Sequence, residues 1–158
     1  MPAECAKQNY CEYKHEKYPG KLFKNLLNDT LNIATNQITG QRRGEHTEFE
    51  EVCKQIDEYV TIYEIIDEHD NTRFVAQTDD NKFKNENLIG RCQYPGKIMR
   101  TVPLLTKPEI DTNEYTLYCE DITTEFMFLV LSHDGNSLEN VKSKEIPVGC
   151  ACRYRSKH

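Results

Sequence analysis

Cysteine is the residue type with the most chemistry to offer in this chain, because seven cysteines occur among 158 residues. Cys5 and Cys11 lie close enough in sequence to close a small disulfide loop. Thiols in cytosolic proteins are few and stay reduced, so this number favours a secreted protein stapled by disulfides. The other five are spread over the rest of the chain, at Cys53, Cys92, Cys119, Cys150 and Cys152.

The last two cysteines form a Cys-x-Cys pair, Cys150-Ala151-Cys152. Residues two apart on a strand point to the same face, so this pair can send two parallel bridges into neighbouring strands. Zinc is the main rival, but it usually requires two pairs at Cys-x₂-Cys spacing, which the sequence lacks. We therefore expect no metal and no cofactor. Spacing alone does not choose among the many possible pairings of the five later cysteines.

A dibasic pair, Arg42-Arg43, stands at the centre of a polar segment that contains two glycines. This composition predicts an exposed linker over residues 39–48. Trypsin-like proteases bind arginine through a carboxylate in the specificity pocket. We predict cleavage after Arg43, before Gly44, by an extracellular trypsin-like serine protease; the alternative is an ordinary solvated pair. A furin-type enzyme is less favoured, because Gly40 stands where it prefers another arginine.

Sequence motifs for catalysis and phosphate binding, such as G-x-S-x-G, H-E-x-x-H and the P-loop, do not occur, so we expect no enzyme. The net charge of -6 argues against a nucleic-acid partner, which basic residues would have to bind. No run approaches the roughly 18 apolar residues of a membrane span, so we expect no membrane insertion. The sequon Asn28-Asp29-Thr30 predicts N-glycosylation at Asn28, within a predicted helix.

A short amphipathic helix is predicted near the start of the chain, because apolar residues recur there at helical spacing. Such a short helix is marginal alone and needs a surface to pack on. Residues 1–43, which contain it, carry seven Lys/Arg and four Asp/Glu, whereas residues 44–158 carry thirteen and twenty-two. The uneven distribution of charge either reflects ordinary solvated surface or allows the basic leader, residues 1–43, to dock electrostatically on the acidic remainder of the chain. The helix-forming residues are Leu22, Phe23, Leu26, Leu27 and Leu31.

β-branched and aromatic residues dominate after Cys53, and they predict strands over Tyr59–Ile66, Thr72–Gln77 and Tyr115–Cys119. The clearest signal is a hairpin with arms Glu125–Ser132 and Leu138–Val148 around Asp134-Gly135, since glycine supplies the positive φ of the turn. The first arm contains an apolar run, Phe126–Leu131, whose two faces are both hydrophobic. Either both faces are buried, or one of them contacts a second copy or a receptor. We therefore predict a mainly β fold.

Two groups of motifs stand at the two ends of the chain. The first group is Cys5-Ala6, Tyr10-Cys11-Glu12 and Tyr18-Pro19, followed by the leucine-rich helix, and the second is the tail Ile146-Pro147-Val148-Gly149-Cys150-Ala151-Cys152. In this order they resemble the Spätzle family of Toll-receptor cytokine precursors, whose tail is of the type Ile-Pro-x-Cys-Cys-x-Cys, so that Gly149 stands in place of one cysteine. The similarity covers nearly the whole chain and is strongest at residues 5–19 and 115–152. This body has five cysteines, whereas the family's knot domain typically has seven.

The resemblance implies a cystine-knot growth-factor-like body of elongated antiparallel hairpins, residues 44–158, behind a short α-helical prodomain, residues 1–43. It implies a secreted, extracellular glycoprotein with growth factor activity. Proteolysis would activate this cytokine, which would then bind a Toll-like receptor ectodomain as a dimer in innate immunity or development. Two related alternatives are a hormone for a receptor tyrosine kinase, similar to prothoracicotropic hormone or Trunk, and a clottable protein similar to coagulogen, whose relatives are richer in cysteine.

The family's order also implies the disulfide pairing. Cys53 pairs with Cys119 and Cys92 with Cys150, while Cys5 and Cys11 have each other. Seven cysteines cannot all pair within one chain, and in a secreted protein a leftover suggests an intermolecular bridge. We therefore expect an interchain disulfide from Cys152 to Cys152 of a second copy. The alternatives are a thiol at this position or an interchain bridge through Cys150.

Overall fold

The computed structural model describes residues 1–28, 52–78, 83, 85–98 and 115–156, and within them the protein is mainly β. One α-helix, α1, spans Gly20–Asn28, and a short 3₁₀ turn spans Ala3–Cys5. Leu31, the last residue of the predicted helix, lies outside the described residues. The strands are β1 Tyr10–Cys11, β2 Gln55–Thr61, β3 Glu64–Ile66, β4 Thr72–Phe74, β5 Glu86–Cys92, β6 Gly96–Lys97, β7 Tyr115–Thr124, β8 Met127–Leu131, β9 Leu138–Lys142 and β10 Ile146–Ser156.

The chain divides into two compact units. The first unit takes its described residues from the stretches Met1–Thr39, Tyr59–Leu88 and Thr124–Ile146, and the second from Gly40–Glu58, Ile89–Thr123 and Pro147–His158. Both units are therefore built from segments far apart in sequence. The predicted boundary at residues 43 and 44 lies outside the described residues.

The first unit contains a three-stranded antiparallel sheet of order β1-β3-β4 and the two-stranded hairpin β8-β9. The hairpin prediction is confirmed: β8 pairs with β9 from Met127↔Lys142 to Leu131↔Leu138, and Gly135 in the turn has a φ of 75°. The second predicted arm, Leu138–Val148, is wrong in extent. Its strand pairing with β8 ends at Lys142, because the backbone amide of Lys144 instead donates to Ile66 O at 2.9 Å.

The predicted strand Tyr59–Ile66 is two strands, because its middle residues hydrogen-bond elsewhere. Ile62 O accepts from Gln77 Nε2 at 3.1 Å, while Tyr63 N donates to Cys11 O at 2.8 Å. The predicted strand Thr72–Gln77 is confirmed at its start as β4, and Val75 then forms an isolated bridge with Val130. The observed strand bounds differ from the predicted ones because hydrogen-bond partners distant in sequence set them, and the periodicity of apolar residues carries no information on such partners.

A five-stranded sheet of order β2-β5-β10-β7-β6 provides the strands of the second unit, which takes β2 as far as Glu58 and β5 from Ile89 onward. Strand β10 runs parallel to β5, with Val148 opposite Gly90. A Cβ atom on Gly90 would lie 2.8 Å from Val148 O and 3.0 Å from Val148 C. Both are backbone atoms of the neighbouring strand and cannot move aside without opening the ladder. Glycine at this position therefore permits the close approach of β5 and β10.

Substitution of Gly90 by alanine is expected to destabilise the second unit by about 1–3 kcal/mol, the usual cost of overpacking a close-packed interior. The midpoint of urea unfolding, followed by circular dichroism, measures the change. Gly20→Ala is the matched control, because the nearest atom to its added Cβ is Tyr18 Cδ1 at 4.0 Å. Equal midpoints for Gly90→Ala and the wild type would show that the two strands are not in such close contact.

Candidate functional site: the leader contact surface and the cysteine cluster

Residues 1–28, here called the leader segment, pack on strands β3, β4, β8 and β9 within the first unit. Strand β1 extends the sheet edge, since Tyr10 lies opposite Ile65 and Cys11 opposite Glu64. On either side of this ladder, Tyr63 N donates to Cys11 O at 2.8 Å, and Ile66 N donates to Asn9 O at 3.0 Å. The leader segment therefore satisfies backbone groups that an uncovered sheet edge would expose. We call the covered residues the leader contact surface.

Tyr18 is the aromatic centre of the leader contact surface. Its hydroxyl donates to Val75 O at 2.6 Å. Its ring stands edge-on to the rings of Tyr63, at 5.3 Å, and Phe74, at 5.7 Å, while Phe23 of α1 lies at 5.3 Å. Edge-to-face pairs of this kind add about 0.5–1.5 kcal/mol each beyond the burial of area. This cluster fixes the position of the chain that enters helix α1.

Helix α1 covers one face of the β8-β9 hairpin. Phe23 and Leu27, four residues apart on the helix, are fully buried and form a core cluster with Ala76. Phe128 and Val130 of β8 are also fully buried, so the other face of that strand is core as well. Both faces of the apolar run are thus in contact with protein from Phe128 to Leu131, whereas Met127 is 47% exposed. The partly buried residues packed against the helix cluster are Tyr18, Phe74, Phe83, Leu129, Leu131 and Leu138.

A buried ion pair ties β4 to the hairpin in the same unit. Arg73 is 5% exposed; its Nη1 lies 3.2 Å from Asp67 Oδ2, and its Nη2 donates to Leu131 O at 2.8 Å and also contacts Glu139. Burial alone would raise the pKa of Asp67, but hydrogen bonds from Asn71 N, Arg73 and His69 N lower it below its usual value. The carboxylate is therefore held ionised beside the guanidinium, which fixes the arginine under the hairpin.

Glu64 places a second buried carboxylate on the leader contact surface, opposite Cys11. Its side chain is 1% exposed, and its Oε1 has no hydrogen-bond partner among the described residues. The amino group of Met1 lies 3.8 Å from Oε2. Burial raises the pKa of Glu64, and the nearby amino group partly offsets this effect. The leader segment thus covers charged as well as apolar groups.

The second unit has a core dominated by cysteine. Two bridges, Cys53–Cys119 and Cys92–Cys150, join segments 66 and 58 residues apart. Cys92 N donates to Asp121 Oδ1 at 2.7 Å, which ties β5 to β7 beside the second bridge. The core cluster consists of Val52, Cys53, Cys92, Leu117, Cys119 and Cys150, with Ile98 and Cys152 packed against it.

The comparisons with known proteins place the chain in no group. No model of a protein family matches it. No curated protein matches it significantly either. The conclusions on function therefore depend on the residues and contacts described above and on the sequence motifs.

The structure pairs Cys5 with Cys11, the small loop that their spacing predicts. It pairs Cys53 with Cys119 and Cys92 with Cys150, as the order of cysteines in the resembled family implies. Cys152 is half-buried on β10, and it faces the same cluster as Cys150, as expected for residues two apart on a strand. Asn28 is exposed at the last residue of α1. Arg42, Arg43 and Gly44 lie outside the described residues, as does Thr30 of the sequon.

Sequence reasoning missed β1 and the Arg73 ion pair. The two residues of β1 are too few for any alternation to be visible, and Arg73 stands in a short strand with no motif around it. Asp67 and Asn71, which set the turn before β4, carry a recognisable turn signal, but that signal does not point to Arg73 or Glu139. Among the described residues, no helix is long and apolar enough to cross a membrane.

Proposed function

We propose that the chain is a secreted proprotein cytokine whose leader segment covers a binding surface until proteolysis after Arg43 releases it. The C-terminal part, residues 44–158, is then the active ligand for a Toll-like receptor ectodomain. The observation that carries the proposal is the covering of the β8-β9 hairpin by α1, with Phe23 and Leu27 fully buried. An apolar hairpin covered by a separate sequence segment is what a shielded binding surface requires.

The contacts described between the leader segment and the rest of the first unit are noncovalent, which supports release of the leader segment after cleavage. Its disulfide, Cys5–Cys11, closes a loop within the leader segment itself. The interactions described across the leader contact surface are hydrogen bonds, an ion pair between the Met1 amino group and Glu64, aromatic contacts and apolar packing. Such contacts are reversible once the covalent link at Arg43 is cut, because the leader segment then binds as a separate chain and gains the entropy of dissociation.

The second unit supports a knot-like ligand body. Its two bridges link β7 and β10 to distant segments, and loops of this size constrain the unfolded chain strongly. Disulfides also suit the oxidising extracellular environment in which such a ligand acts. The five cysteines of residues 44–158 correspond to a cystine knot with fewer bridges than the family's knot has.

The proposed cleavage is tested by treating the purified chain with a trypsin-like protease and sequencing the new N-terminus. Early cleavage is expected to yield a fragment that begins at Gly44. Arg43→Gln should abolish that cut, because the specificity pocket needs the arginine charge, whereas Arg42→Gln, with the same loss of charge, should still be cut. A first cut at another bond in both variants would contradict the assignment.

The receptor class is tested by capturing the cut chain on a panel of immobilised ectodomains. Binding to Toll-like receptors, and none to receptor tyrosine kinases, is the expected result. The reverse pattern would favour the hormone alternative, which rests on the same knot resemblance. An increase in light scattering after cleavage, with no receptor bound, would favour a clottable protein.

A disulfide-linked dimer through Cys152 is part of the proposal and rests on the family resemblance and the odd number of cysteines. A two-fold axis would bring the two copies of this residue together. On a non-reducing gel the wild type is expected to run as a dimer and Cys152→Ser as a monomer. A covalent dimer of the serine variant, or a monomeric wild type, would overturn this assignment.

A further inference from the structure

A row of basic and aromatic side chains crosses one face of the sheet in the second unit. Leu117 and Cys119 of β7 are buried, so Tyr118 and Glu120 point to the opposite, solvent-facing side. Lys97 of β6 lies directly opposite Tyr118 in the antiparallel ladder and therefore shares its face. Its side chain forms no ion pair within the described part of the chain. Among the described residues, the row thus begins at a positive charge that no carboxylate pairs with.

Strand β10 supplies the other side of the row. Arg155 lies over the ring of Tyr118, with its Cζ 4.4 Å from the ring centroid, and its Nε donates to Tyr118 Oη at 2.8 Å. Arg153, two residues earlier on the same face, pairs with Glu120 at 3.6 Å. We call Lys97, Arg153 and Arg155, arranged around Tyr118, the basic row.

The contacts of Arg155 order its guanidinium without neutralising it. A tyrosine ring and hydroxyl hold the group in place but leave its charge uncompensated, and the fork of donors on arginine suits the oxygens of carboxylate, phosphate and sulfate groups. Glu120 is half-exposed and compensates one positive charge. The basic row therefore carries a net charge of +2, in a segment, residues 44–158, with thirteen basic and twenty-two acidic residues.

From this geometry we propose that the basic row is a binding site for a sulfated polysaccharide. Neighbouring strands lie about 4.8 Å apart and alternate residues of a strand about 6.7 Å apart, so the three charges spread over roughly 10 Å of an open sheet face. A flat, extended group of positive charges fits a polymer that carries sulfate groups along its length. An enclosed pocket would be needed to select one small anion.

Extracellular sulfated polysaccharide is available to the protein only if the proposed secretion is correct, but binding is measured on the purified chain without receptor or protease. Its failure would therefore leave the cytokine proposal intact, and failure of receptor binding would leave this site intact. Polymer binding would hold the ligand near the surface of the cell that displays the polymer.

The test uses a heparin column and titration with heparin at several salt concentrations. The wild type is expected to bind, with affinity that falls as salt rises because counterions are released. Lys97→Gln/Arg155→Gln should weaken binding by about fivefold for each lost charge, and Glu120→Gln should strengthen it by about fivefold. Lys21→Gln/Lys24→Gln removes two positive charges from exposed positions of helix α1 and should retain the wild-type affinity.

Three results would overturn the proposal. The first is wild-type protein that passes through the column at low salt. The second is equal weakening by the two double variants, which would mean that net charge, rather than the basic row, determines binding. The third is competition by duplex DNA as effective as that by heparin at equal phosphate and sulfate concentration, which would exclude selectivity for a sulfated polysaccharide. Circular dichroism of each variant verifies that the fold is unchanged.

Discussion

Removal of the Cys92–Cys150 bridge by a double substitution to alanine is expected to unfold the second unit at room temperature. The bridge closes a loop of 58 residues, and in the chain-entropy view it stabilises the fold by about 4 kcal/mol. A small domain has a total stability of only about 5–15 kcal/mol. Cys150 is fully buried, so the substitution also leaves a cavity in a core that consists largely of cysteine.

Urea unfolding by circular dichroism, together with amide hydrogen exchange along β10, measures this effect. The matched control is Cys5→Ala/Cys11→Ala, which opens a loop of only 6 residues and should cost about 2 kcal/mol in the first unit. Amides of β10 should lose their protection in the first variant and keep it in the control. Full protection in both variants would show that the second unit is stable without its bridge.

Substitution of Phe23 by alanine is expected to detach the leader segment from the first unit. Phe23 of α1 is fully buried against Tyr18 and Ala76. Truncation of a buried phenylalanine lowers the free energy of unfolding by about 3–5 kcal/mol. The helix has nine residues and is too short to be stable without this packing. The hydrogen bonds of the neighbouring β1 strand should therefore open as well.

Hydrogen exchange reports this detachment at two specific amides. Tyr63 N and Ile66 N donate to carbonyls of Cys11 and Asn9, so both should exchange faster in Phe23→Ala. Lys24→Ala, an exposed neighbour on the same helix, should change stability by no more than about 0.5 kcal/mol. Unchanged exchange at Tyr63 and Ile66 in Phe23→Ala would mean that α1 does not hold the leader segment in place.

The fold was predictable from sequence where local chemistry determines it. Asp134-Gly135 specifies the turn of the β8-β9 hairpin, because glycine adopts the required positive φ. The helical spacing of Phe23 and Leu27 likewise predicts α1 and its buried face. The division of Tyr59–Ile66 into β2 and β3 was not predictable, since Tyr63 turns its amide toward Cys11, more than fifty residues earlier in the chain.

In the candidate site, too, local sequence predicts some features and tertiary packing determines the others. The apolar run in β8 has two hydrophobic faces, which indicates that both need cover but not which segment supplies it. That α1 covers one of them follows only from the tertiary packing of Phe23 and Leu27 against Leu129 and Leu131. The Arg73 ion pair joins three separate segments, and no pattern along the chain brings Asp67 and Glu139 to one guanidinium.

The most direct test of the shielding mechanism is the affinity of the chain for a Toll-like receptor ectodomain before and after cleavage at Arg43. Surface plasmon resonance with the intact wild type, the cut wild type and protease-treated Arg42→Gln/Arg43→Gln, which lacks both arginines of the dibasic pair, makes the comparison. Cleavage is expected to tighten binding by roughly tenfold or more, since the cut allows the leader segment to leave. The treated double variant should bind like the intact chain. Equal affinity of the intact and cut wild type would contradict the shielding mechanism.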